Sequence, residues 1–129
     1  FRVKSNLDSG IPQAIQYAAV EALRGSQEHI AEHNAIFQRR RDKLLKVLNE
    51  IGLKARIPKA TFYIWAKIPQ GYTSMDFTKK LLDEAGIAVT PGTGYGKEGE
   101  GYIRLSLTIS DDRLEQGMGR LLAWHRRRG

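Results

Sequence analysis

The stretch VTPGTGYGKEGEGYIRLSL, Val89 to Leu107, constrains this chain more than any other. A short apolar run (Ile87, Ala88, Val89) enters it, and a glycine-dense loop from Thr90 to Gly101 turns. An alternating run from Tyr102 to Leu107 leaves. Period-two alternation is a strand signature that puts Ile103, Leu105 and Leu107 on one face, with Tyr102, Arg104 and Ser106 on the other. Arg104 is therefore a guanidinium set on a rigid element. Its planar, permanently charged fork matches a carboxylate or phosphate with two parallel hydrogen bonds. The plainer reading is an edge-strand arginine in solvent, or one paired with Glu98 or Glu100. Spacing alone leaves both open.

Gly94, Gly96 and Gly99 spell GxGxxG, the pattern of a dinucleotide cradle. That cradle works only where a helix N-terminus follows, so that amides and dipole face the pyrophosphate. Here a strand follows, and Lys97 precedes Glu98 rather than Ser or Thr, which also excludes a Walker loop. The glycines instead read as positions of positive φ or close backbone approach.

Around this centre the chain reads in order. Phe1 to Gly10 is expected to be an extended lead-in, with Asp8 or Ser9 capping a helix over Ile11 to Leu23 that Gly25 ends. Ser26 caps a longer helix to about Ile51, closed by Gly52. Its stripe is Ile30, Phe37, Leu44, Leu48 and Ile51, widened by Leu45 and Val47. His29 and His33 lie one turn apart, but without an intervening HExxH glutamate or a third ligand they read as helix-surface residues, and no metal is expected. Thr61 to Ile68, TFYIWAKI, is a strand by its aromatic and β-branched content. Phe62, Ile64, Ala66 and Ile68 share one face; Thr61, Tyr63, Trp65 and Lys67 share the other. Thr73 or Ser74 caps a helix over Met75 to Ala85, with Phe77, Leu81 and Leu82 inward and Gly86 stopping it. Ser110 opens a last helix from Asp111 to about Arg127, with Leu114, Met118, Leu121, Leu122 and His125 on its buried side. The order α-α-β-α-β-β-α predicts an α+β fold: a small mixed or antiparallel sheet covered by helices on one face.

The 129 residues make one domain. With 41% hydrophobic and 27% charged residues the composition is that of an ordinary globular protein. Absence of cysteine excludes disulfides and thiolate metal sites. No apolar run approaches a membrane span and no signal peptide opens the chain, so a cytoplasmic location and no membrane partner are expected. The start at Phe1 has the look of a fragment. Lys and Arg outnumber Asp and Glu by 21 to 14, a formal charge of +7. Such an excess raises a basic nucleic-acid-binding module as an alternative, with Tyr63, Trp65 and Tyr102 as stacking residues. Yet much of the excess sits in Arg39–Arg41 and Arg126–Arg128, where no aromatics interleave, and these runs read as solvated faces.

Four stretches then carry a resemblance: SNLDSG with IPQAIQYAAVEAL, the long helix with its RRRDKLLKVL run and IGL, ATFYIWAKIP, and AGIAVTPGTGYGKEGEGYIRLSLT. Together, over nearly the whole chain, they resemble the C-terminal part of the class I/II pyridoxal-phosphate-dependent aminotransferases of fold type I. The SNLDSG lead-in looks most like the LL-diaminopimelate aminotransferases and their aspartate-type relatives. The resemblance implies that residues 1–129 are the small domain of such an enzyme, with the large cofactor-binding domain absent. It implies that Arg104 grips the substrate α-carboxylate, which reverses the plainer reading. Phe62 is implied to stand near the substrate pocket, and Ser5 and Asn6 near the dimer interface and the neighbouring active site. Ala60 stands where many relatives have glycine and Tyr95 where many have phenylalanine, which puts pocket shape in doubt. The chemistry needs pyridoxal 5′-phosphate and a lysine bonded to it. In the family that lysine and the cofactor's other holders lie upstream of everything here, so no catalytic residue is expected in this chain and the isolated chain is expected to be inactive. The implied partners are amino acid and 2-oxo acid substrates and a second copy of the full-length parent, with no nucleic acid. A pyridoxal-dependent transcriptional regulator is a further alternative, though no helix-turn-helix is present.

Overall fold

A computed structural model describes residues 1–7 and 10–128. They fall into two compact units, Phe1–Asn34 and Ala35–Gly129. The first unit holds helix α1 (Arg2–Leu7), helix α2 (Gln13–Arg24) and the start of helix α3 (Glu28–Glu50). Helix α1 replaces the extended lead-in. Ser5 Oγ and Asn6 Nδ2 both donate to the Arg2 carbonyl, and the Ser5 amide donates to that of Phe1. These bonds back over one turn offset the weak helix propensity of serine and asparagine. The expected cap at Asp8 or Ser9 lies outside the described residues. The Glu28 amide donates to Ser26 Oγ at the start of α3, as expected. No described residue of this unit is buried, and Ile30, expected in the apolar stripe, is exposed.

The second unit carries the core. Helix α3 buries Leu44 and Leu48, and its end is fixed by Gly52 at φ 79° and by a bond from the Leu53 amide to the Leu48 carbonyl. Strand β1 (Tyr63–Lys67), helix α4 (Ser74–Ala85), strand β2 (Thr90–Pro91), strand β3 (Tyr102–Ser106) and helix α5 (Asp111–Arg126) follow. Two 3-10 turns, Gly92–Tyr95 and Lys97–Gly99, fill the glycine loop. The three strands form one antiparallel sheet in the order β1-β3-β2. Strand β3 is therefore the centre of the sheet and not an edge.

Two strand boundaries differ from expectation. The run Ile87 to Val89 does not pair; pairing starts at Thr90. Gly86 adopts the left-handed conformation and the Ile87 amide bonds back to the Leu81 carbonyl, so this segment terminates α4 before it can join the sheet. Pro91 has no amide to give, which an edge strand tolerates. At the other boundary β1 begins at Tyr63 and not Thr61, because Thr61 takes φ 70° and interrupts the extended run.

Ile64, Ala66, Ile103 and Leu105 point from the sheet into one layer of helices, where they pack with Leu48, Phe77, Leu81, Leu114 and Leu121. Each such burial of a large apolar side chain contributes about 1.5–3 kcal/mol. One sheet face is covered by helices and the other is left to the loops, an α+β fold. Leu82 and His125, expected inward, are exposed. Trp124 takes the inner position on α5, where its indole N–H finds Glu84 at 2.8 Å. The arginine runs are not simply solvated. Arg40 pairs with Asp111 and donates to the Leu107 carbonyl; Arg128 donates to the Tyr72 hydroxyl and lies over the Trp124 ring. Arg40 thereby ties α3 to the start of α5, and Arg128 ties the end of α5 to the segment before α4. Among the described residues no helix is long and apolar enough to cross a membrane.

Candidate functional site

The open sheet face gathers the site. Alternation along β1 and β3 puts Tyr63, Trp65, Lys67, Tyr102 and Arg104 there, and the register sets Trp65 directly beside Arg104. A groove of about 760 Å³ runs over this face, lined by Lys54, Arg56, Thr61 and Glu98 besides those residues. The guanidinium of Arg104 lies 3.9 Å from the ring centre of Tyr63 and 4.6 Å from that of Tyr95. Trp65 meets Tyr95 edge-on and stacks on Tyr102, in both cases with ring centres 5.8 Å apart.

Neither glutamate expected as a possible partner takes Arg104. Glu100 accepts from the Ser74 amide at 2.7 Å, from the Ser74 hydroxyl at 3.0 Å and from its neighbour Gly101 at 2.8 Å. It thereby caps the N-terminus of α4, where amide donors and dipole favour an anion. The Ser74 amide, then that of Gly101, holds its carboxyl below the usual carboxylate range. Glu98 lines the groove without pairing with Arg104. Among the described residues no ion pair or hydrogen bond engages the Arg104 guanidinium; its contacts are the two tyrosine rings.

The glycines act as close-approach points. A Cβ at Gly92 would stand 2.0 Å from the Gly99 carbonyl oxygen, and one at Gly99 equally close to that of Gly92. Gly96 and Gly101 take positive φ. This folded-in loop delivers Tyr95 to Arg104.

Of the other expected site residues, Phe62 does not line the groove. Its ring packs on Phe37 and on Tyr63, with centres at 5.8 and 4.7 Å, and it reaches Arg104 only through Tyr63. Ser5 and Asn6 belong to the N-terminal unit, exposed and bonded to their own helix. His29 and His33 face each other edge-on at 6.3 Å, and the described residues hold no cluster of three or more His, Cys, Asp or Glu able to bind a metal. Sequence reasoning missed Tyr63 and Tyr95 as partners of Arg104. Alternation did place Tyr63 on the right face, but the register and the loop path that bring both rings to the guanidinium are tertiary facts.

The profile of the family described as aminotransferase class I and II matches residues 2–121. The chain belongs to that family. Among its relatives is an LL-diaminopimelate aminotransferase of Dehalococcoides mccartyi, 59% identical over 120 residues, which are 93% of this chain and 31% of the relative. One of Moorella thermoacetica is 50% identical over the same shares. Among solved structures, the aromatic aminotransferase from Pyrococcus horikoshii OT3 superposes with a TM-score of 0.82 at 40% identity, over 88% of this chain and 31% of that one. An aminotransferase from Staphylococcus aureus gives a TM-score of 0.86 at 30% identity, over 97% and 33%. The chain thus spans about a third of the length of the curated relatives it matches.

Proposed function

We propose that this chain is the C-terminal small domain of a pyridoxal-phosphate-dependent aminotransferase, and that Arg104 binds the α-carboxylate of its substrate. The whole protein would transfer an amino group between an amino acid and a 2-oxo acid. The names of its relatives favour LL-diaminopimelate as the donor. The observation that carries the role of Arg104 is its state. It sits on the central strand, half-buried, with its charge unclaimed by any carboxylate among the described residues. Such a group offers an incoming carboxylate two parallel charge-assisted bonds without displacing a resident acid.

Pyridoxal phosphate, when bound, supplies the electron sink for breaking the Cα–H bond. The described residues do not fit it. The glycine-dense loop already commits four of its amides: those of Gly96, Gly99 and Glu100 bond to carbonyls of the loop, and that of Gly101 to Ser74 and Glu100. The groups that hold the cofactor are proposed to lie in the part of the relatives' length that this chain does not match, and the isolated chain is proposed to be inactive. What this chain contributes is orientation. A carboxylate fixed on Arg104 fixes the substrate Cα behind it, and charge pairing there can draw the small domain closed. Ser5 and Asn6 are proposed to meet a second copy of the whole protein, and Phe62 to border the substrate through its contact with Tyr63.

The test is Arg104→Ala in the uninterrupted protein loaded with cofactor. Losing one partner of a desolvated ion pair costs roughly 2–5 kcal/mol, so kcat/KM for the amino donor should fall about 30- to 5,000-fold. A value near that of the parent protein overturns the assignment.

A further inference from the structure

Building on the reading of Arg104 as the carboxylate anchor, we propose that Tyr63 and Tyr95 are positioning residues for it. Their rings clamp the guanidinium from opposite elements, a strand and the glycine loop, and present its N–H edge before substrate arrives. The separations of 3.9 and 4.6 Å to the ring centres are those of close cation–π contact. The contact is with ring faces, which take up none of the N–H···O bonds a carboxylate would make. Among the described residues no hydrogen bond or ion pair occupies the five N–H donors. An unoccupied fork is what a planar carboxylate needs for two parallel bonds.

The clamp is itself braced. Trp65, the cross-strand neighbour of Arg104, holds Tyr95 edge-on and rests on Tyr102. Tyr63 is backed by Phe62 at 4.7 Å. A free arginine side chain would have to give up rotamer freedom on binding. Here the rings have already confined it, so less is lost when the carboxylate docks. The ring face does this work and the hydroxyl does not. Phenylalanine presents the same ring face without the hydroxyl.

The experiment uses the uninterrupted, cofactor-loaded protein with LL-diaminopimelate as the varied donor, and compares Arg104→Ala, Tyr95→Leu and Tyr95→Phe. Tyr95 is half exposed, so its truncation spares the core. Pre-ordering acts on ground state and transition state alike, so Tyr95→Leu should raise KM about 3- to 30-fold with kcat within about twofold. Tyr95→Phe should recover most of that loss. The clamp is overturned if Tyr95→Leu leaves KM within about twofold while Arg104→Ala abolishes binding, or if Phe is as poor as Leu. A merely structural Tyr95 would instead lower kcat and the melting temperature together, which also counts against it. If Arg104→Ala itself changes nothing, the carboxylate reading fails first, and the two failures are told apart.

Discussion

Gly99→Ala tests the construction of the loop that presents Tyr95. Gly99 is not at a positive φ, so alanine faces no backbone penalty there; the obstacle is space. Its Cβ would lie 2.0 Å from the Gly92 oxygen, 2.4 Å from the Gly92 carbonyl carbon and 3.1 Å from its Cα. All are backbone atoms, which no rotamer change can move aside. The two segments must part by roughly an ångström or more to restore ordinary contact. Several bonds hold them where they are: Gly99 amide to Gly96 carbonyl at 3.0 Å, Gly101 amide to Ser74 Oγ at 3.0 Å, and the Glu100 bonds to Ser74. Breaking two or three of these, at about 1 kcal/mol net each, predicts a loss of about 2–3 kcal/mol. Gly94→Ala is the control in the same loop. Its Cβ would meet only Thr90 Cγ2, at an ordinary 3.8 Å, and should change stability by less than about 0.5 kcal/mol. Urea unfolding of the 129-residue chain followed by circular dichroism gives both numbers, provided the slope with denaturant is unchanged. Gly92→Ala should match Gly99→Ala, and the double variant should cost less than their sum, because one opening relieves both clashes. Equal effects at Gly94 and Gly99 would refute the close-approach argument.

Two further outcomes are expected. Thr61 holds φ 70°, a conformation that strains a β-branched residue, so Thr61→Gly should raise the urea midpoint by the equivalent of about 1 kcal/mol; a fall would show that Thr61 is held by contacts worth more than its strain. Glu100, Glu84 and Asp111 all titrate below the usual carboxylate range, held chiefly by the Ser74 amide, Lys80 and Arg40 respectively. Lowered folded values mean that their stabilisation is complete above about pH 4–5 and is lost as pH falls through the lowered values. The urea midpoint should therefore drop on acidification below that range, and Glu100→Gln should flatten the drop; an unchanged slope would deny Glu100 its capping role.

The sequence was informative wherever a single element decides the outcome. The alternation at Tyr102 to Leu107 needs only local geometry, and it put Arg104 on the face opposite Ile103 and Leu105 as found. The glycine stops at Gly52 and Gly86 likewise follow from backbone freedom alone. Failures came where a residue is claimed by something distant in the chain. Ile87 to Val89 has strand composition, but its first amide closes α4. His125 and Trp124 compete for one inner position on α5, and Glu84, from another helix, decides it for the indole. The arginine runs are polar by composition, yet Arg40 and Arg128 reach partners on other elements. At the site, the strand position of Arg104 was legible. Its two tyrosine partners were not, because Tyr95 arrives through a loop whose path depends on the Gly92–Gly99 contact.

The disposition of acids around Arg104 explains why its charge stays available. A half-buried guanidinium would normally recruit the nearest carboxylate, and two glutamates lie within six positions of it in the loop. The fold gives Glu100 a stronger claim: backbone and hydroxyl donors at a helix N-terminus, converging at 2.7 to 3.0 Å. Asp111, just beyond β3, is taken by Arg40. Among the described residues the charged side chains lining the groove are then Lys54, Arg56, Lys67 and Arg104 against Glu98. A concave face of predominantly positive charge focuses the local field and raises the concentration of an anionic substrate near it. Capping a helix with Glu100 thus does two things at once: it anchors the glycine loop that carries Tyr95, and it commits one of the two nearby acids that could pair with Arg104.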